Sequence, residues 1–179
     1  MMVSLDGYFE ASGHDLSWHN VDEEFNSFAV EQAQEADTIL LGRRTYQLME
    51  SFWPSKEGRE DDPVIAKWMN ETAKVVVSNS LESVTETKDW KHVRLLKDNV
   101  AEEIAKLKNE KGGNIALLGS NILAVHLMEA GLIDEFRIMI NPVVIGKGTL
   151  LFAGIKQKKD FKLLKTRTFG NGNVLVTYQ

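Results

Sequence analysis

Apolar residues along this chain fall into two alternating spacings. Short β-rich runs occupy residues 2–5, 38–41, 74–77, 93–95, 115–118, 136–140, 161–168 and 174–178. Between them the apolar positions recur at helical intervals. Phe25, Phe28, Ala29, Gln32 and Ala36 follow i, i+3, i+4, i+7 spacing, with Asn20 as the expected N-cap. Val100, Ile104 and Leu107 repeat the pattern behind Asp98, and Gly112-Gly113 is expected to end that helix. Ile122, Leu123, Val125 and Leu127 predict another, opened at Ser120-Asn121 and closed by Gly131. Shorter helices are expected to begin at Arg43 or Arg44 and to span 63–70, while the charged stretch 54–62 reads as an exposed loop.

Alternation of helices with continuously apolar strands such as Val75-Val76-Val77 predicts a parallel sheet covered on both faces. From Asp134 onward strands follow strands, and Phe169-Gly170-Asn171-Gly172-Asn173 predicts a hairpin turn. The expected fold is therefore α/β, a mostly parallel central sheet with antiparallel C-terminal edge strands, in a single domain over 1–179. No repeat, low-complexity segment or linker interrupts it. The opening Met1-Met2-Val3-Ser4-Leu5 reads as the second half of a buried strand: either that strand is short or the natural chain begins earlier.

Composition narrows the function classes. The 179 residues are 43% hydrophobic and carry a formal charge of −5, enough chain for a sizeable core. An acidic chain without a Lys/Arg cluster is poorly suited to a nucleic-acid backbone. Its densest basic stretch, Lys156-Gln157-Lys158-Lys159, runs straight into Asp160. The absence of cysteine excludes a disulfide scaffold, thiolate metal sites, iron–sulfur clusters and a cysteine nucleophile. His14, His19, His92 and His126 show no metal-ligand spacing, so no metal is expected. No apolar run approaches the roughly 18 residues of a membrane span, and no signal peptide is visible. A cytoplasmic protein without a membrane partner is the expectation.

In an open parallel sheet, ligands gather where strand ends turn into helices. Three such junctions stand out: Gly42-Arg43-Arg44-Thr45-Tyr46, Ser78-Asn79-Ser80 and Gly119-Ser120-Asn121. Each sets small or hydroxyl residues at a strand end, where helix N–H groups favour an anion. Arg43 and Arg44 add the fork geometry that suits a phosphate. Any one junction is ordinary helix capping; three together with paired arginines favour an anion or nucleotide site. The Gly-x-Gly-x-x-Gly fingerprint is absent, and Gly146-Lys147-Gly148-Thr149 lacks P-loop spacing.

These residues carry a resemblance. Ser4-Leu5-Asp6-Gly7-Tyr8-Phe9, the stretch from Gly13 to Trp18, Gly42-Arg43-Arg44-Thr45-Tyr46, Val76-Val77-Ser78-Asn79, Leu118-Gly119-Ser120 with Leu123, Gly131-Leu132-Ile133-Asp134-Glu135 and Pro142-Val143-Val144-Ile145-Gly146-Lys147-Gly148 occur in one order from residue 4 to about 152. In that order they resemble the dihydrofolate reductase-like superfamily, specifically the RibD C-terminal, or riboflavin-biosynthesis reductase, domain family. The resemblance implies a three-layer αβα fold and an NADPH-dependent reductase acting on a small heterocyclic substrate. It places Gly42, Arg43, Arg44 and Thr45 at the phosphates, Ser78 and Asn79 near the 2′-phosphoribose, and Gly119, Ser120, Asn121 and Ile122 around the pyrophosphate. The nicotinamide would lie near Ser4-Leu5-Asp6 and Trp18.

Reduction also needs a proton donor. Glu23, chosen by its distance from Trp18, and Asp6, at the end of the first strand, are the candidates. With Asn20 as N-cap, Glu23 would stand at N3 and could equally close a capping box; Asp6-Gly7 could equally be a turn. Trp18, Phe28 and Tyr46 are candidate substrate contacts, with core packing the alternative. The first helix reads Asp22-Glu23-Glu24-Phe25 where the riboflavin-pathway pattern is basic, and no zinc-binding deaminase motif is present. The alternatives are thus the 5-amino-6-(5-phosphoribosylamino)uracil reductase itself, a non-catalytic NADPH-binding protein, or a structural domain with three capped helices. Apolar C-terminal strands and residues 142–148 suggest a homodimer.

Overall fold

The computed structural model describes residues 1–179 as ten strands and six helices. In chain order these are β1 (Met2–Ser4), β2 (Tyr8–Ala11), α1 (Glu23–Gln34), β3 (Ala36–Gly42), α2 (Arg43–Phe52), α3 (Lys56–Asp61), α4 (Pro63–Glu71), β4 (Ala73–Val77), β5 (Val93–Leu96), α5 (Val100–Lys108), β6 (Asn114–Leu117), α6 (Asn121–Glu129), β7 (Phe136–Asn141), β8 (Gly148–Leu150), β9 (Leu163–Thr168) and β10 (Val174–Tyr178). The class is mixed α/β, with parallel strands and an antiparallel C-terminal pair, as expected. None of the helices is long and apolar enough to cross a membrane. The chain packs as two compact units, Phe28–Leu123 and Met1–Ser27 with Ala124–Gln179.

The unit Phe28–Leu123 holds a four-stranded parallel sheet in the order β5-β4-β3-β6. Ile39, Leu41 and Val76 on its central strands are buried with Tyr46, Met69 and Trp90, the continuous apolar runs filling the interior. The charged stretch 54–62 is not a loop. Ser55 Oγ accepts from Gly58 N at 3.0 Å and caps α3, and Gly58 packs so tightly that a Cβ there would lie 2.3 Å from Phe52 O. Charge masked that short helix. Asp62 Oδ1 then accepts from Val64 N and Ile65 N, both at 3.0 Å, with Pro63 at the first position of α4. Helix α5 is bounded by Asn99 rather than Asp98, and ends at Asn109, ahead of Gly112-Gly113. Gly113 instead donates its N–H to the Asp37 carboxylate.

The other unit has the order β1-β7-β10-β9, parallel between β1 and β7 and antiparallel thereafter. Val3, Ile138 and Leu151 are buried there, packed by Phe9, Phe136, Ile140, Phe152 and Val176. The predicted hairpin turn forms: Phe169 N donates to Asn173 O at 2.9 Å, with Gly172 at φ +89°. Gly131, at φ +69°, and Leu132 close α6 by donating to Met128 O and Leu127 O. The antiparallel pair β2–β8 was not legible, being only four and three residues long. At Gly148 a Cβ would lie 2.0 Å from Glu10 O, so only glycine admits that approach.

The start of α1 also differs. Asp22 is its N-cap, Oδ1 accepting from Phe25 N at 2.8 Å. Asn20 is drawn away by remote partners: its N–H donates to Asn141 Oδ1 at 2.9 Å and its Nδ2 to Asn171 O at 2.7 Å. Glu23 therefore stands at the first position of the helix rather than in a capping box. At the other end the helix stops at Gln34, and Ala36 opens β3.

Candidate active site

In the unit Phe28–Leu123 the chain leaves β3 for β4 and then β5 on one side, and returns to place β6 on the other side of β3. The strand order reverses between β3 and β6, the position beyond whose carboxyl ends open parallel sheets bind ligands. Gly42 ends β3 and Gly119-Ser120 follows β6. Gly42 N donates to Ser120 Oγ at 2.8 Å, and the Ser120 and Thr45 hydroxyls share a hydrogen bond of 2.8 Å. A Cβ on Gly42 would lie 2.7 Å from Ser120 Oγ, and one on Gly119 would lie 2.9 Å from Thr45 Oγ1. Gly119 and Ser120 have φ of +56° and +59°. For a serine that conformation costs about 1–2 kcal/mol, and the two bonds to its hydroxyl hold it there.

Arg43 and Arg44 are exposed at the first two positions of α2, which has no acidic residue in its first turn and no side-chain cap. Cations at a helix N-terminus oppose the macrodipole; an anion bound at that helix start would reverse that penalty. Asn121 is buried, whereas Ile122 beside it is 80% exposed, an unusual place for isoleucine. Ser78 and Asn79 follow β4, whose last residue pairs with Gly42. Ser78 Oγ accepts from Ser80 N and Leu81 N at 3.2 and 3.1 Å, closing its own turn, while Asn79 is exposed. Gly42, Thr45, Gly119 and Ser120 are thus brought into contact, with both arginines next in chain.

Tyr46 does not join them. It is 3% exposed and its hydroxyl accepts from Thr85 N at 2.8 Å, which corrects its reading as a substrate contact. It faces inward because residue 46 lies on the side of α2 that packs against Trp90. Phe28, on α1, is half-buried.

In the other unit, Asp6 is the hub of a clamp. Its Oδ1 accepts from Ser4 Oγ at 2.6 Å and Ile145 N at 3.1 Å, and its Oδ2 from Gly146 N at 2.7 Å. The Ser4 hydroxyl first, and the two backbone donors after it, hold this carboxyl below its ordinary value of 3.8. Asp6 thus braces Ser4, Ile145 and Gly146 together at the end of the first strand. Glu23 is exposed, and its backbone carbonyl accepts from Ser27 Oγ at 3.0 Å. Trp18 is half-buried; its Nε1 donates to Asp15 O at 3.1 Å and its ring meets His19 edge-on at 4.5 Å.

One pair on this unit was missed. Glu10 is 7% exposed, and its Oε1 bonds both His14 Nδ1 and Thr149 Oγ1 at 2.8 Å. The spacing of four would signal a pair on a helix; here it closes over a turn after β2, which no local pattern announces.

Residues 1–175 match the RibD C-terminal domain family. The Bacillus subtilis (strain 168) protein YyaP is 32% identical over 180 residues, covering 99% of this chain and 91% of its own length. A solved structure from Shewanella sp. PV-4, named for riboflavin biosynthesis, superposes with a TM-score of 0.75 at 25% identity, over 99% of this chain and 94% of that one. Dihydrofolate reductase from Enterococcus faecalis, complexed with NADP(H), shares the fold with a TM-score of 0.63 at 16% identity, over 99% and 91% of the two chains.

Proposed function

The chain belongs to the RibD C-terminal domain family, and from that premise we propose that it is an oxidoreductase that uses NADPH to reduce a small, flat heterocycle. The observation that carries this reading is the junction of Gly42–Thr45 with Gly119-Ser120, with two exposed arginines at the start of α2. NADPH fits that donor set: guanidinium forks suit phosphate monoesters, and a helix N-terminus suits a pyrophosphate. When bound, NADPH supplies the hydride. Arg43 and Arg44 hold its phosphates, Asn79 faces the phosphoribose end, and the Gly119–Ile122 turn presents backbone donors and the exposed Ile122 side chain. On the substrate side, Trp18 offers a flat apolar face for stacking. Orientation and exclusion of water are the protein's share of hydride transfer.

The acidic start of α1 separates two substrates. Glu24 Oε2 accepts from Gly170 N at 2.8 Å and its Oε1 lies 3.6 Å from Arg167, so that carboxylate is held in place beside exposed Glu23. Fixed negative charge disfavours a phosphorylated sugar, and an unphosphorylated heterocycle is the better reading. The Shewanella structure's name, riboflavin biosynthesis protein, supports the phosphorylated alternative, 5-amino-6-(5-phosphoribosylamino)uracil, as the second reading. Exposed Leu163 and Leu164 on edge strand β9 support a homodimer, which light scattering tests. A cytoplasmic location with no nucleic-acid or membrane partner completes the reading.

The deciding experiment is a titration with NADPH and NADH followed by tryptophan fluorescence. Replacing Arg43 and Arg44 together by alanine should weaken NADPH by at least about tenfold, from the loss of charge-assisted bonds worth about 1.5 kcal/mol or more, with little change for NADH. Equal loss for both cofactors refutes the assignment of these arginines to the extra phosphate. Binding without turnover of any heterocycle would leave a non-catalytic NADPH-binding protein.

A further inference from the structure

Inside the unit Phe28–Leu123 a positive charge is buried without a counter-ion. Lys74, on β4, is 1% exposed, and its Nζ donates to the backbone oxygens of Asn70, Thr72 and Lys91. No carboxylate contacts it. Glu86 acts on it only from a distance, and the Glu86 Oε1 already accepts from His92 N at 2.9 Å. Lysine is seldom fully buried unless it is paired, because carbonyl dipoles alone do not replace the solvation that burial removes. Its neighbours in the sheet are Ile39 and Val93, whereas Gly42 pairs with Val77 at the far end of β4. The charge therefore stands at the opposite end of the sheet from the Gly42–Gly119 junction.

Two of the residues that hold Lys74, Asn70 and Lys91, also line a groove of about 330 Å³ bordered by α4 and by residues 88–91. Four cations line it: Arg59, Lys67, Lys88 and Lys91. Its two carboxylates are engaged, Asp89 with Arg59 at 3.5 Å and Glu71 with Lys91 at 4.0 Å. Lys67, on α4, and Lys88, ahead of β5, are exposed and pair with no carboxylate. This local excess of positive charge occurs in a chain whose formal charge is −5. We propose that the groove binds a phosphate dianion, free or as a phosphomonoester, with Lys67 and Lys88 as its direct contacts and the bound phosphate as the missing counter-charge of Lys74. Ammonium groups are strong donors to phosphate oxygens. A groove lined by one sign of charge over low-dielectric walls concentrates the field on an anion. The Lys74 charge acts through protein rather than water, where screening is weaker. The site lies apart from the candidate active site and does not depend on the reductase reading.

Phosphate also suits the start of α2, so the titrations use the full chain carrying R43A/R44A as the parent. Calorimetry and amide nitrogen-15 spectra at low ionic strength follow two probes, inorganic phosphate and ribose 5-phosphate. The parent should bind at least one of them, with shifts at the amides of Lys67, Lys88 and Lys91. Tighter binding of the ester assigns the site to a phosphorylated metabolite, and equal or tighter binding of the ion assigns it to free phosphate. Adding K67A/K88A, two exposed positions that leave the fold intact, should weaken the better probe by at least about tenfold. Adding K74M should weaken it by about threefold or more, although that side chain does not touch the ligand. The probe should also raise the urea midpoint of the parent more than that of the K74M variant, since a ligand stabilises the state that binds it. The exposed pair keeps the test decisive if K74M loses the fold. No saturation at millimolar concentration, shifts confined to residues outside the groove, or K67A/K88A binding within about twofold of the parent overturns the site. Binding by a folded K74M variant within about twofold of the parent overturns the role given to Lys74.

Discussion

Lys74 is a buried ammonium without a contacting carboxylate. It is the second residue of β4 at 1% exposure, donating to the backbone oxygens of Asn70 at 3.4 Å, Thr72, and Lys91 at 2.9 Å. Its Nζ lies 4.5 Å from the centre of the Trp90 ring, a cation–π contact. Burial lowers its pKa from 10.5 to about 8, with Glu86 acting weakly the other way. Below pH 8 the folded and unfolded chains both carry the proton, and the folded state bears the cost of the dry charge. Between pH 8 and 10.5 the unfolded chain binds more protons, so stability rises with pH. The gap is worth about 3 kcal/mol in all, at about 1.36 kcal/mol per pH unit. The perturbation is Lys74→Met, which matches the length of the stem and cannot titrate. Urea denaturation of both proteins at pH 7 and pH 10 isolates the effect, because every other titration cancels in the difference. Relative to the variant, the wild type should gain between about 2 and 3 kcal/mol on going to pH 10. Leaving three carbonyls without a donor shifts the variant by a similar amount at both pH values. A difference that stays flat within about 0.5 kcal/mol would refute the reasoning: the carbonyl cradle would then hold the ammonium as well as water does.

Two further outcomes bear on residues whose roles the structure changed. Tyr46→Phe strands the Thr85 N–H and should cost about 1–3 kcal/mol of stability while leaving NADPH titrations unchanged; weakened cofactor binding at full stability would return Tyr46 to the site. Asp6→Asn should speed hydrogen exchange at Ile145 and Gly146 at neutral pH, because it removes the carboxylate that both amides share. The wild type should show the same loosening only in acid. Its lowered carboxyl gives a contribution that is complete above the ordinary value of 3.8 and is lost as pH falls through the lower folded value.

Spacing along the chain determined a good deal by itself. Apolar period located most strands and helices α1, α5 and α6, because those signals arise within a few residues: β10 runs over the predicted 174–178. Glycines at strand ends marked the Gly42 and Gly119 junctions, since close approach and positive φ leave a composition trace. The quoted motifs, in their order, carried the family. What the spacing could not convey was which remote partner each polar group would choose. Asn20 looked like a helix cap and became part of a bond network with Asn141 and Asn171. Asp6, a candidate proton donor or a turn residue by its place in the chain, took the amides of Ile145 and Gly146. Tyr46 turned inward to Thr85, and β2 found β8 across more than a hundred residues. A polar side chain in the chain's interior binds whichever donor or acceptor the fold delivers, because leaving it unpaired there costs more than any local preference returns. Local order was therefore written in the sequence, and the partners of its buried polar groups were decided only when distant strands met.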